Sequence, residues 1–231
     1  MKVFELTVKC YLNNNIKQED VSGQIGFLLD LILGKDKEFL KIHKSNTFKN
    51  YVFNGFYPLE REKIYKEDYI YNFQIRTIDE ELANYLKENL TKVNSNCINV
   101  LRVSMEEKEF KKINKLYSIT PVIMKNDFGY WKNNISIDEY KNRIKQNLIK
   151  KYNNYMDENL PEDFEFIKNI KFINKKPVRF MYKGVKVLGD KLELEISDNK
   201  DAQLLAYMSL GTGILELNAR GMGYVNYRWF I

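Results

Sequence analysis

The chain has 231 residues, 44% of them hydrophobic, and a net charge of +6 at neutral pH. That is enough for one large domain or two small ones with a real core, and the charge points to a polyanionic partner. Two cysteines, one histidine and no apolar run of spanning length argue against a disulfide scaffold, a metal centre and a membrane protein. Cys10 and Cys97, with no signal peptide before them, read as reduced thiols of a cytoplasmic protein.

Met1 to Leu12 alternates, with Phe4, Leu6, Val8 and Cys10 set against Glu5, Thr7 and Lys9, and predicts a first strand. Ile25, Leu28, Leu29, Ile32 and Leu33 then recur at helical spacing, with Gly34 as a stop. Lys37 to His43 adds a further turn. Tyr51 to Tyr57 is aromatic and strand-like, and Pro58 ends it. Tyr69 to Ile75 alternates again. Thr77 and Glu80 form a capping box for a helix whose inner face is Leu82, Tyr85, Leu86 and Leu90. Ile98 to Met105 closes this half. The order β-α-β-β-α-β is the ferredoxin-like signature.

The order repeats. Tyr117 to Met124 is a strand carrying Pro121, so an edge or an interrupted one. Ser136 and Glu139 form a second capping box, opening a helix with Ile137, Tyr140, Ile144, Leu148 and Tyr152 on one side. Its basic residues, Lys141 to Lys151, read as a solvated face. Phe164 to Phe172, Val178 to Val187 and Lys191 to Ile196 are strands, Asp198 opens a short helix, and Tyr224 to Phe230 is the last strand. The expected fold is therefore α+β, two tandem ferredoxin-like halves packed side by side. Residues 1–110 form the first half and 111–231 the second, with a glycine-rich loop before the last strand.

That loop, Leu210 to Tyr224, holds Gly211, Gly213, Gly221 and Gly223 together with Asn218 and Arg220. Glycine leaves peptide N–H groups uncovered, and such groups can gather around a phosphate. The spacing fits neither a Walker loop nor a dinucleotide fingerprint. From Gly213 to Gly223 it resembles the C-terminal glycine-rich loop of the CRISPR-associated endoribonucleases that cut repeat RNA. In this chain Leu215 stands where that family usually has a glycine.

His43, the one histidine, lies before Tyr51-Val52-Phe53-Asn54-Gly55-Phe56-Tyr57-Pro58. Histidine titrates near neutrality unaided and suits proton transfer. The resemblance implies a catalytic role for His43, because the family carries its histidine just after the first helix and before such a segment. It implies the same for Lys49, six residues on. The first-helix tyrosine of some members is missing, since that stretch reads Gly26-Phe27-Leu28-Leu29. Tyr51 is the one nearby candidate for a second proton carrier. The implied reaction is metal-independent and uses no cofactor: the RNA's 2′-hydroxyl attacks the adjacent phosphate.

A further basic stretch carries Lys171, Lys175, Lys176, Arg179 and Lys183, with Asn174 to Pro177 as a turn. As a hairpin it would track a phosphate backbone, and Lys44 beside His43 adds to the same field. The alternative is a lysine-guarded sheet edge. The implied partner is CRISPR repeat RNA, with effector-complex subunits as further partners. The sequence leaves monomer and homodimer open. A non-catalytic RNA-binding subunit of an effector complex stays open beside the nuclease reading.

Overall fold

The structure is a computed structural model that describes residues 1–231 except Asn46, Asn94, Phe128, Lys183 and Ile231. In the first half, β1 (Val3–Leu12) leads through β2 (Ile16–Lys17) into α1 (Val21–Leu33) and α2 (Lys37–Lys44). Then come β3 (Tyr51–Phe53), β4 (Ile64–Tyr65), β5 (Ile70–Thr77), α3 (Glu80–Asn89) and β6 (Ile98–Lys108). The four main strands pair antiparallel in the order β3-β5-β1-β6, which is the ferredoxin-like order, and β2 pairs separately with β4.

The alternation of β1 decides which core each residue joins. Phe4, Leu6, Val8, Cys10 and Leu12 face α1 and α3 and pack with Ile25, Leu28, Leu82 and Leu86. Val3, on the opposite face, belongs to the second half's core. Glu5 was expected to face solvent. It is only 5% exposed, because the second half covers that face. Burying a carboxylate is costly unless it is paired. Arg76 Nε donates to Glu5 Oε2 at 2.5 Å. The same guanidinium donates to Val225 O at 2.7 Å and Asn226 Oδ1 at 2.8 Å. It also lies 4.4 Å from the Tyr224 ring.

The second half runs β7 (Ile113–Ser118), β8 (Val122–Ile123), α4 (Ile137–Met156), β9 (Ile167–Phe172), β10 (Val178–Tyr182), β11 (Val185–Asp190), β12 (Leu192–Ile196), α5 (Lys200–Thr212) and β13 (Val225–Trp229). Its main sheet, β13-β7-β12-β9, repeats the ferredoxin-like order. A hairpin, β10-β11, is inserted between β9 and β12, and β11 pairs with β8 to make a separate three-stranded sheet, β10-β11-β8.

Several local expectations need correction. Asp79, not Thr77, caps α3 and accepts from Leu82 N at 3.0 Å. The Thr77 hydroxyl is spent on Asn50 O and Asp79 N. Ser136 does cap α4, accepting from Glu139 N at 3.1 Å. Tyr117 to Met124 is two strands in two sheets, since Pro121 has no N–H to continue the ladder. Val178 to Val187 is a hairpin rather than one strand, and Asn174 to Pro177 joins two sheets rather than two paired strands. Asn199, not Asp198, caps α5. That helix reaches Thr212 and is apolar almost all round, because it is sandwiched between its own sheet and the first half. Gly211 is thus helical. A Cβ there would stand 2.7 Å from Ile78 Cγ2, so glycine permits this close approach.

Candidate active site

The first half contributes two side chains. Asp30 lies in the last turn of α1, and His43 lies in the last turn of α2. Asp36 opens α2 by accepting from Glu38 N at 2.9 Å and Phe39 N at 3.1 Å, and this cap turns the chain so that α2 returns along α1. His43 Nε2 stands 3.4 Å from Asp30 Oδ1. Nδ1 is buried without a hydrogen-bond partner, while the side chain as a whole is 21% exposed. Nε2 is therefore the ring nitrogen that shares the site with the Asp30 carboxylate.

The second half contributes Arg220, at the end of a single 3-10 turn, Asn218–Arg220. Its Nη1 donates to Asp30 Oδ2 at 2.7 Å. One carboxylate thus joins the imidazole and the guanidinium, and Arg220 reaches it from 190 positions along the chain. Burial works against the Arg220 charge, but the Asp30 hydrogen bond and charge outweigh it and raise the guanidinium's pKa.

Lys49 lies beside this group. Its ammonium donates to Ile42 O and to Ser45 O, two carbonyls at the end of α2. Its pKa is lowered by burial and then by the Arg220 charge. The Tyr51 hydroxyl is buried without a partner, and burial together with the Asp30 charge pushes it upward, away from easy proton exchange. A small cavity of about 60 Å³ touches His43, Lys49, Asn50 and Tyr51.

The glycine loop differs from the expected nest. Gly213, Gly221 and Gly223 are buried. Their N–H groups donate to Ser209 O, Asn218 O and Pro121 O. Asn218 was expected as an open donor; its amide instead donates to Ile214 O at 3.1 Å and Met222 O at 3.0 Å. The glycines serve packing. A Cβ at Gly221 would stand 2.7 Å from the Phe53 ring, and one at Gly223 would stand 2.2 Å from Ile214 O. The loop is pressed against the first half, and this contact carries Arg220 to Asp30.

Lys151 holds the loop from beneath and was missed by sequence reasoning. It is 2% exposed, not part of a solvated face. Its ammonium donates to Gly213 O at 2.9 Å, Leu215 O at 3.1 Å and Asn218 Oδ1 at 2.8 Å. Three acceptors match its three protons. Burial lowers its pKa to about 7, and Glu216 partly opposes this. The signal was present, since Ile144, Leu148 and Lys151 share one helical stripe. Asp30 gave no comparable signal, because its partners come from distant segments.

The other basic residues are not part of this cluster. Lys44 is exposed on α2; Lys171 is exposed on β9, opposite Glu193; Lys175 and Lys176 are exposed in the following turn; Arg179 is exposed on β10. Lys183 lies outside the described residues.

Two tandem ferredoxin-like halves, with a glycine loop packed between them, define the double ferredoxin-like class. Residues 104–227, over half of the chain, match the family described as CRISPR associated protein Cas6, C-terminal, and the chain belongs to it. Solved structures agree in fold. A RAMP protein described as binding different RNA substrates aligns with a TM-score of 0.76 at 15% identity, over 97% of this chain and 99% of that one. A Cas6-related protein from Pyrococcus furiosus gives 0.68 at 18%, over 98% of each. Thermus thermophilus Cas6 gives 0.60 at 12%, again over 98% of each. No curated protein matches the sequence.

Proposed function

We propose that the protein is an endoribonuclease that cuts CRISPR repeat transcripts to release guide RNAs, and that it does so without metal. The carrying observation is the Asp30 bridge, which sets a proton carrier and a fixed cation side by side. The RNA's 2′-oxygen attacks the neighbouring phosphorus, and its proton passes to water. His43, protonated, gives its Nε2 proton to the departing 5′-oxygen as the P–O5′ bond breaks. Arg220 balances charge on the phosphorane, and Lys49 adds to the same positive field. The products carry a 2′,3′-cyclic phosphate and a 5′-hydroxyl. Lys44, Arg179, Lys175, Lys176 and Lys171 contribute attraction for the backbone rather than chemistry.

The test is end-group analysis of repeat RNA cleaved in chelator by wild type and by His43→Ala. Cyclic phosphate ends, and a rate at least ~100-fold lower for the variant, are expected. Ends with a 3′-hydroxyl, or equal rates, overturn the mechanism. Binding without cleavage by either protein supports the second reading, an RNA-binding subunit. The fold match to a RAMP protein described as binding RNA motivates that reading.

A further inference from the structure

Beside Arg220, a cleft of about 220 Å³ separates α1 from the inserted hairpin. Its α1 wall is Ser22, Gly23 and Gly26, a helix face with almost no side chain. Its opposite wall comes from β10 and includes Phe180 and Tyr182. Arg220 also lines it, and among the described residues no acidic side chain does. Lys125 Nζ lies 5.2 Å from the Tyr182 ring, adding positive charge nearby.

We propose that this cleft takes one unpaired nucleobase of the RNA, from the nucleotide next to the phosphate held at Arg220. Aromatic side chains offer π-faces to a flat heterocycle, and such stacking tolerates any base. Bare helix backbone opposite them leaves room for a ring. The guanidinium gives one face to Asp30 and keeps other donors for the adjoining phosphate. A base can enter only if unstacked, so the cleft selects a single-stranded nucleotide at this point. The proposal rests on the RNA-processing reading for its ligand, but not on cleavage.

Gly23 supplies a test in which folding and binding move in opposite directions. A Cβ added at Gly23 meets nothing within 4 Å, so Gly23→Leu starts its side chain in open space and extends it into the cleft. Leucine is also the better helix former, so the melting temperature should stay or rise. The affinity for a repeat RNA oligonucleotide should fall about tenfold, the effect of losing one stacked base. Phe180→Ala should weaken binding similarly. Photocrosslinking with RNA carrying 4-thiouridine beside the cleavage site should label the β10 wall in wild type and not in Gly23→Leu. Unchanged affinity in Gly23→Leu, or crosslinks elsewhere, overturns the cleft assignment. RNA that is bound and crosslinked here but never cut supports the cleft while removing the nuclease reading.

Discussion

The two sides of the site are held in opposite ways. The glycines of the loop from Gly213 to Tyr224 are buried, with their amides bonded, and two of the loop's carbonyls are gathered on Lys151. The α2 helix buries no residue fully; the Asp36 cap and the Lys49 ammonium secure its ends, and His43 rides on it. One side is thus fixed before any ligand arrives, and the other can adjust. In the proposed reaction, fixed charge belongs on the rigid side, because a preorganised cation needs no rearrangement as the phosphorane forms. A proton carrier must follow a moving leaving group, and a lightly anchored helix allows this.

The largest expected effect falls on the rigid side. Gly223 has φ +70°, and its added Cβ would stand 2.2 Å from a backbone oxygen. Gly223→Ala should cost roughly 4 kcal/mol, measured by urea unfolding. A tolerated alanine would show that the loop is soft. Lys151→Met, which removes the ammonium from three acceptors, should cost about 3 kcal/mol. Its pH dependence has a definite sign. The folded-state pKa of about 7 lies below the unfolded value, so the unfolded chain holds more protons above pH 7. Wild-type stability should therefore rise relative to Lys151→Met between about pH 7 and pH 10. A falling difference in urea melts would place the ammonium, not the amine, in the native loop across that range.

Asp30→Asn tests the join between the two sides. The pair is one-third exposed, so stability should change by less than ~1 kcal/mol. Single-turnover cleavage should nevertheless slow by about tenfold, with RNA affinity little changed. A large loss of stability with no kinetic effect would make Asp30 a structural clamp only. The smallest effect is expected for Lys49→Met. It should cost about 0.5 kcal/mol and raise amide exchange only in the last turn of α2. A global loss would mean that α2 is as firmly built as the loop.

Local patterns carried much of the fold. The alternation of β1, the stripe of α1 and the Ser136 cap were all legible, because each depends on neighbours a few residues away. Capping of α3 was harder, since Thr77 and Asp79 both offer an oxygen and only geometry chooses between them. Glu5 and Lys151 looked solvated because polarity alone does not reveal a buried partner. His43 and Arg220 were both legible as candidates. That Asp30 joins them was not, since the contact exists only once the two sheets are packed.

The Arg76 cluster has a consequence for biogenesis. A ribosome releases the first sheet long before Val225 and Asn226 are made. Until then the guanidinium lacks two of its acceptors, and Arg220 has no seat beside Asp30. In a nascent chain His43 and Asp30 therefore come together early, and the bridge to Arg220 forms only after the second sheet has been made.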